Sequence, residues 1–393
     1  MLPNSGGTMQ VYLPSNYTAT QKWATVFFYH YMGGTPDTSF LRGLTEGRDY
    51  IVAGMSYLDD ARPASPVQDT ESYMRRELAN YRSARNWLIA HASVDEARIF
   101  LAGTSKGGWA ASGLGELELP RLGGIIILLA GRPYGFGRSP SPDALHGKPI
   151  YIGTGETDPN NMAARLAREL YRRNGAVVTF EEYAGRGHEV PSDEKRLRAW
   201  LEANGPRRDR LSQPADRKEL SAELEKSRAA AMAEADPSTQ YSRLLDLADD
   251  PRLPLCEAGV SAQIQRQLAA LRGRPPEADE WAAASKFDDL VYRDACMQTL
   301  AEMKGVLDAF QSLAQAYPHT RYGKRAAQWA VTLGAAYQKS ADATRRANDE
   351  PRARTNAPSL KPSFPVSGPD RSLPPIPVRR GNKVTFEYPD RKR

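Results

Sequence analysis

The residues best placed for chemistry begin with Gly103-Thr104-Ser105-Lys106-Gly107-Gly108. This G-x-S-x-G pattern follows a strand-like run, Arg98–Ala102, and precedes a helical stretch that starts near residue 107. A serine at such a turn is held in a strained backbone conformation, with its hydroxyl exposed at a helix N-terminus. Backbone N–H groups there can stabilise an oxyanion. Large side chains at 103 or 107 would collide with neighbouring backbone. The plainer alternative is a Gly-rich turn that only joins strand to helix. Serine needs a base, and the chain has five histidines: His30, His91, His146, His188 and His319. His188 lies in Gly185-Arg186-Gly187-His188-Glu189-Val190-Pro191, between the last strand signal and the helix that follows it. Chain order and the flanking glycines make it the preferred base over a solvated loop histidine. The base needs an orienting carboxylate. Asp158, in Glu156-Thr157-Asp158-Pro159-Asn160, falls between Ser105 and His188, the order Ser…Asp…His. Glu156 is the competing acid, and Asp158 also reads as an Asp-Pro turn or a helix N-cap. Oxyanion donors are the N–H of Lys106, directly after the serine, and that of Met32 or Tyr31 in the loop His30-Tyr31-Met32-Gly33-Gly34. His30 reads as a structural residue holding that loop.

These residues need a scaffold that brings three loops together. Residues 8 to about 204 alternate strand and helix signals. Strand-like runs fall at 9–13, 23–29, 50–55, 98–102, 123–130, 149–153 and 177–180. Helical periodicity falls at about 71–91, from 107, at 160–173 and at 192–203, with Leu78, Tyr81, Ala84, Trp87 and Leu88 at three- and four-residue spacing in the first. Continuous apolar strands alternating with helices predict an α/β fold with a mostly parallel sheet covered on both faces. Residues 205–240 are charged and Ala-rich, and read as a solvated linker, partly helical at 217–234. Residues 241–343 carry only amphipathic helical patterns and read as an all-α domain. Residues 344–393, rich in Pro and Arg, read as a disordered basic tail. Within it Lys383–Tyr388 alternates like a strand that can dock on a sheet edge.

With the pattern Val94-Asp95-Glu96-Ala97-Arg98-Ile99 ahead of Gly103–Gly108, residues 8–204 resemble the α/β-hydrolase superfamily, and within it polyester depolymerases, feruloyl esterases and prolyl peptidases. The resemblance implies Ser105 as nucleophile, Asp158 as acid and His188 as base. It implies a serine hydrolase acting on a small-molecule or polymeric carboxylic ester, with a peptidase of the same fold as the alternative. A catalytically silent scaffold, whose residues 241–343 bind a protein partner, is the alternative of another class. The family's oxyanion loop usually reads His-Gly-Gly or His-Gly-x, and here Tyr31 replaces a glycine. The segment 131–148 is too short for a large cap domain. A second, weaker resemblance is the aromatic-Pro turn Tyr317-Pro318-His319-Thr320, similar to the helix junction of tetratricopeptide-type repeats, within about 290–340.

Composition excludes several classes. The longest apolar run, Ile125–Ala130, is far short of the ~20 residues of a membrane helix. Two cysteines, Cys256 and Cys296, exclude a disulfide scaffold and an iron–sulfur protein. They read either as free packing thiols or as one staple. No spaced His/Cys ligand set and no phosphate-binding glycine loop is present, so neither metal nor cofactor is expected. The net charge of +6 points toward nucleic acid only superficially. Residues 351–393 hold ten Lys/Arg against three Asp/Glu, which leaves the rest of the chain at −1. The charge of the body therefore gives no support to nucleic-acid binding and none is expected, although the tail's Arg379-Arg380, Arg391-Lys392-Arg393 and Pro374–Pro377 can meet an acidic surface, RNA or a proline-reading module. The first residues, Met1–Gly7, lack a charged and apolar leader. As it stands the chain reads as cytoplasmic, and a trimmed N-terminus would allow export.

Overall fold

A computed structural model describes residues 7–349, apart from 59–69, 134–139, 193, 212, 236, 275, 276 and 298, together with 376–380 and 383–387. The N-terminal part runs β1 (Met9–Tyr12), β2 (Trp23–Tyr29), α1 (Ser39–Leu44), β3 (Tyr50–Met55), α2 (Thr70–His91), β4 (Val94–Thr104) and α3 (Lys106–Glu118). It continues with β5 (Gly124–Leu128), α4 (Pro142–Leu145), β6 (Pro149–Gly155), α5 (Asn161–Arg173), β7 (Val177–Tyr183) and α6 (Lys195–Asn204). The seven strands form one sheet in the order β1-β3-β2-β4-β5-β6-β7. β1 is antiparallel to β3, and every other pairing is parallel.

The period of two along each strand divides the core between the two faces of the sheet. In β2, Val26 and Phe28 join Leu41, Leu197 and Trp200 from α1 and α6. Phe27 and Tyr29 point to the other face, toward Leu78, Tyr81, Leu114 and Tyr171 from α2, α3 and α5. All seven residues of β2 are buried, as are those of β3 and β5. Because helices cover both faces, these strands read as unbroken apolar runs and not as alternating ones. Each large aliphatic or aromatic side chain so enclosed contributes roughly 2 kcal/mol. β4 starts at Val94 and β7 ends at Tyr183, so both are longer than their apolar centres.

The C-terminal part is helical: α7 (Arg207–Leu211), α8 (Pro214–Met232), α9 (Pro237–Ala248), α10 (Ala258–Arg272), α11 (Glu277–Cys296), α12 (Leu300–Ala316) and α13 (Arg321–Asp349). The stretch 205–240, expected as a solvated linker partly helical at 217–234, is helical over Pro214–Met232 but packed and not solvated. Its α8 buries Leu220 and Leu224 against Leu244, Ile264 and Leu268. Two leucines four residues apart form a stripe wide enough to pack, and the charged residues around them only colour the outer face. A second cluster is built from Phe287, Val306, Phe310, Trp329 and Leu333 of α11–α13. α12 opens on a capping box between Thr299 and Glu302. α12 and α13 form a hairpin over the turn Tyr317–Thr320.

The helical part docks on α5. Arg168 pairs with Asp288 at 3.1 Å, Arg173 pairs with Asp289, and Met162 and Leu166 pack on the α11–α13 cluster. α13 runs to Asp349, past the expected end at 343. Cys256 and Cys296 are both free thiols, so the staple weighed above is not made. Residues Ile376–Arg380 and Lys383–Glu387 pair as a two-stranded antiparallel hairpin, β8 and β9, separate from the main sheet. The strand reading at 383–388 thus finds its partner in the tail itself and not on a sheet edge. The remainder of the expected disordered tail lies outside the described residues. Among the described residues no helix is long and apolar enough to cross a membrane, and no group of three or more His, Cys, Asp and Glu is placed to hold a metal.

Candidate active site

Parallel strands end on the same edge of a sheet, so the loops after β2, β4, β6 and β7 emerge side by side. Ser105 is the single residue between β4 and α3, with φ 56° and ψ −116°. A positive φ is strained for a residue with a Cβ and is sustained only where the surroundings fix it. Here the Ser105 N–H donates to Leu128 O at 2.8 Å, and its carbonyl accepts from the Trp109 N–H at 3.1 Å. The flanking glycines are a steric requirement. A Cβ on Gly103 would lie 2.1 Å from Gly107 O, and one on Gly107 would lie 1.9 Å from Tyr29 O.

Asp158 sits in the turn between β6 and α5, and His188 in the loop after β7. The structure brings both to Ser105. His188 Nε2 is 2.8 Å from Ser105 Oγ, and His188 Nδ1 is 2.9 Å from Asp158 Oδ1. Nδ1 faces a carboxylate and must carry the proton, so Nε2 is left as the acceptor for the serine hydroxyl. The Asp158 side chain is wholly buried, whereas that of His188 is 40% exposed. Asp158 is held by the Asn160 N–H, which donates to Oδ1 at 2.7 Å. Asn160 is tied down in turn through its side-chain amide, which donates to Leu129 O at 2.9 Å.

Glu156, the competing acid, is not on His188. Its Oε2 accepts from the Gly185 N–H at 2.9 Å, which ties the acid loop to the histidine loop.

The loop after β2 lies against the start of α3, with Tyr29 O and His30 O packed on Gly107. Lys106 is the first residue of α3, so its N–H stands at the helix N-terminus directly after Ser105. Tyr31 and Met32 turn their side chains outward, 59% and 50% exposed. His30 is buried: its Nδ1–H donates to Tyr31 O at 2.7 Å, and its carbonyl accepts from the Tyr57 hydroxyl at 2.6 Å. The Lys106 ammonium stands 3.7 Å from the centre of the Tyr57 ring, on its face, a cation–π contact.

Sequence reasoning missed Asn160 as a support for Asp158 and missed the arginines that reach this edge from α13. Asn160 is detectable in hindsight as a turn residue directly after Asp-Pro. The arginines carry no local signal, because their partners lie about 140 residues away along the chain.

No family model and no curated protein matches this chain. Solved structures do match about half of this chain in extent. A phospholipase/carboxylesterase from Dyadobacter fermentans is 20% identical, covering 49% of this chain and 94% of its own, with a TM-score of 0.39. A carboxylesterase from Mesorhizobium loti is 16% identical, covering 51% and 96%, with a TM-score of 0.41. A ferulic acid esterase from Anaeromyces mucronatus is 14% identical, covering 50% and 84%, with a TM-score of 0.36. One antiparallel strand followed by six parallel ones, in the order β1-β3-β2-β4-β5-β6-β7 with helices on both faces, gives residues 8–204 the α/β-hydrolase fold.

Proposed function

We propose that this chain is a serine hydrolase that cleaves a carboxylic ester through an acyl-enzyme on Ser105. The observation that carries the reading is the continuous hydrogen-bond chain Ser105–His188–Asp158 at the carboxyl edge of the sheet. In the first step His188 Nε2 takes the Ser105 proton while Oγ attacks the ester carbonyl carbon. The carbonyl oxygen becomes an oxyanion, held by the N–H of Lys106 and by that of Met32 or Tyr31. Collapse of the tetrahedral intermediate breaks the bond to the alcohol oxygen, which receives the proton from His188. Water then repeats the sequence: His188 takes its proton, hydroxide attacks the acyl carbon, and Ser105 leaves with the proton returned to Oγ. Asp158 orients the imidazole and stabilises the imidazolium in both halves. Loss of one oxyanion donor would raise the barrier by ~3 kcal/mol.

The test is hydrolysis of a short p-nitrophenyl ester by wild type and by Ser105→Ala, beside labelling with a fluorophosphonate. Labelling at Ser105 and loss of turnover in a folded Ser105→Ala variant are expected. Turnover that survives the substitution would refute the assignment.

A further inference from the structure

The loops that carry Asp158 and His188 are fastened to each other. The Thr157 N–H and hydroxyl both donate to Arg186 O at 2.9 Å, the Glu156 N–H donates to Tyr183 O at 3.0 Å, and Glu156 Oε2 receives the Gly185 N–H. This fastened pair is gripped from outside the sheet. Arg321 and Arg325, one turn apart at the start of α13, both pair with Glu182 near the end of β7. The same guanidiniums lie 3.5 and 3.8 Å from Glu156 Oε1. The Glu182 side chain is only 8% exposed and is also met by Arg165 from α5. Burial alone would raise its carboxyl; Arg165 and Arg325 overcome that and bring it down to about 2, so it stays ionised. From Glu182 the path returns to the acid loop. The Asn161 side-chain amide donates both to Glu182 at 3.0 Å and to Gly155 O at 2.8 Å, and the Asn161 N–H donates to Asp158 O at 2.9 Å.

We propose that Arg321 and Arg325 are positioning residues for the reaction: the appended helical region clamps the acid and histidine loops through Glu182 and Glu156. The proposal rests on the serine-hydrolase reading. The exposed contact of Arg321 with Glu156 is worth little alone, since water screens it. The weight falls on Glu182, where a forked guanidinium spans partners that a point charge would not hold in one orientation. A misplacement of about 1 Å in a reacting group costs up to ~10²-fold in rate, so a clamp of this kind acts without touching substrate.

The test uses the full chain with Arg321→Ala/Arg325→Ala, the matching double Lys variant, and wild type. Fluorophosphonate labelling rate at Ser105, ester kcat and KM, and amide hydrogen exchange are measured for each. The double Ala variant is expected to label about tenfold or more slowly, with kcat reduced and KM little changed. Exchange at the Thr157 and Gly185 amides should quicken while the amides of α12 stay protected, and the Lys pair should recover part of the rate. A folded double Ala variant with wild-type labelling and unchanged exchange at those amides overturns the clamp. If the double variant does not fold, Arg321→Ala carries the test, because that side chain is half exposed. Unchanged labelling and Gly185 exchange in the single variant would then overturn it. If wild type itself is not labelled, the hydrolase reading fails, while amide exchange still decides whether the arginines order the two loops.

Discussion

Asp158→Asn tests how the acid works. Asp158 Oδ1 accepts both from His188 Nδ1 at 2.9 Å and from the Asn160 backbone N–H at 2.7 Å. A backbone N–H cannot turn around, so an asparagine here must keep its amide oxygen at the Oδ1 position. His188 then retains its Nδ1 proton and leaves Nε2 able to take the proton of Ser105. The new NH2 falls at the Oδ2 position, 3.5 Å from the Thr154 hydroxyl, which can accept from it. Only the charge is lost. Two unit charges ~4 Å apart at an effective dielectric of ~20 attract by ~4 kcal/mol, which corresponds to ~10³ in rate. His188 is 40% exposed, so water screens the pair and the expected loss is about 10²-fold. An amide that turned its NH2 to the histidine would invert the tautomer and lose ~10⁴-fold. The assay is kcat on a p-nitrophenyl ester together with 15N shifts of the His188 ring. A ~10⁴-fold loss with the proton moved to Nε2 refutes the pinned-oxygen argument. No measurable loss would remove Asp158 from the mechanism.

Two further substitutions probe the scaffold. Asp294 is buried in the helical region with the Trp329 indole N–H donating to it at 2.8 Å, and burial raises its carboxyl to about 7. The folded chain therefore holds this proton after the unfolded chain has lost it, and stability falls as pH climbs from about 4 to about 7. Asp294→Asn keeps an acceptor for Trp329 and removes a penalty of at most roughly 4 kcal/mol above pH 7. Urea unfolding should find the variant more stable than wild type at pH 8 and equal to it near pH 4; a gap independent of pH would refute this. Gly107→Ala places a Cβ 1.9 Å from Tyr29 O and 2.8 Å from His30 O, backbone that cannot yield cheaply. A destabilisation of about 3 kcal/mol in the denaturant midpoint is expected, and a variant as stable as wild type would contradict the packing described.

What the sequence determined by itself is whatever depends on near neighbours. Glycines at 103 and 107, a strand before them and a helix after them mark the turn at Ser105, because a Cβ on Gly103 would strike Gly107 O only four positions on. Apolar runs such as Ile125–Leu128 mark buried parallel strands, because burial on both faces leaves no polar position to interrupt them. Charge density misled over 205–240. Leu220 and Leu224 are few, and whether two leucines pack depends on Leu244 and Ile264 supplying the opposite surface.

Only the tertiary structure decided which carboxylate meets His188. Asp158 and Glu156 stand two residues apart in one turn, and the sequence favours Asp158 from chain order without showing what either carboxylate meets. The Asn160 N–H and the Gly185 N–H send them to different partners. The structure alone also brought Arg321 and Arg325 to Glu182 across 139 and 143 residues. Periodicity and turn chemistry report the chain's local conformation; an ion pair across that separation depends on where whole elements dock, and α13 reaches this edge of the sheet because α11 is seated on α5.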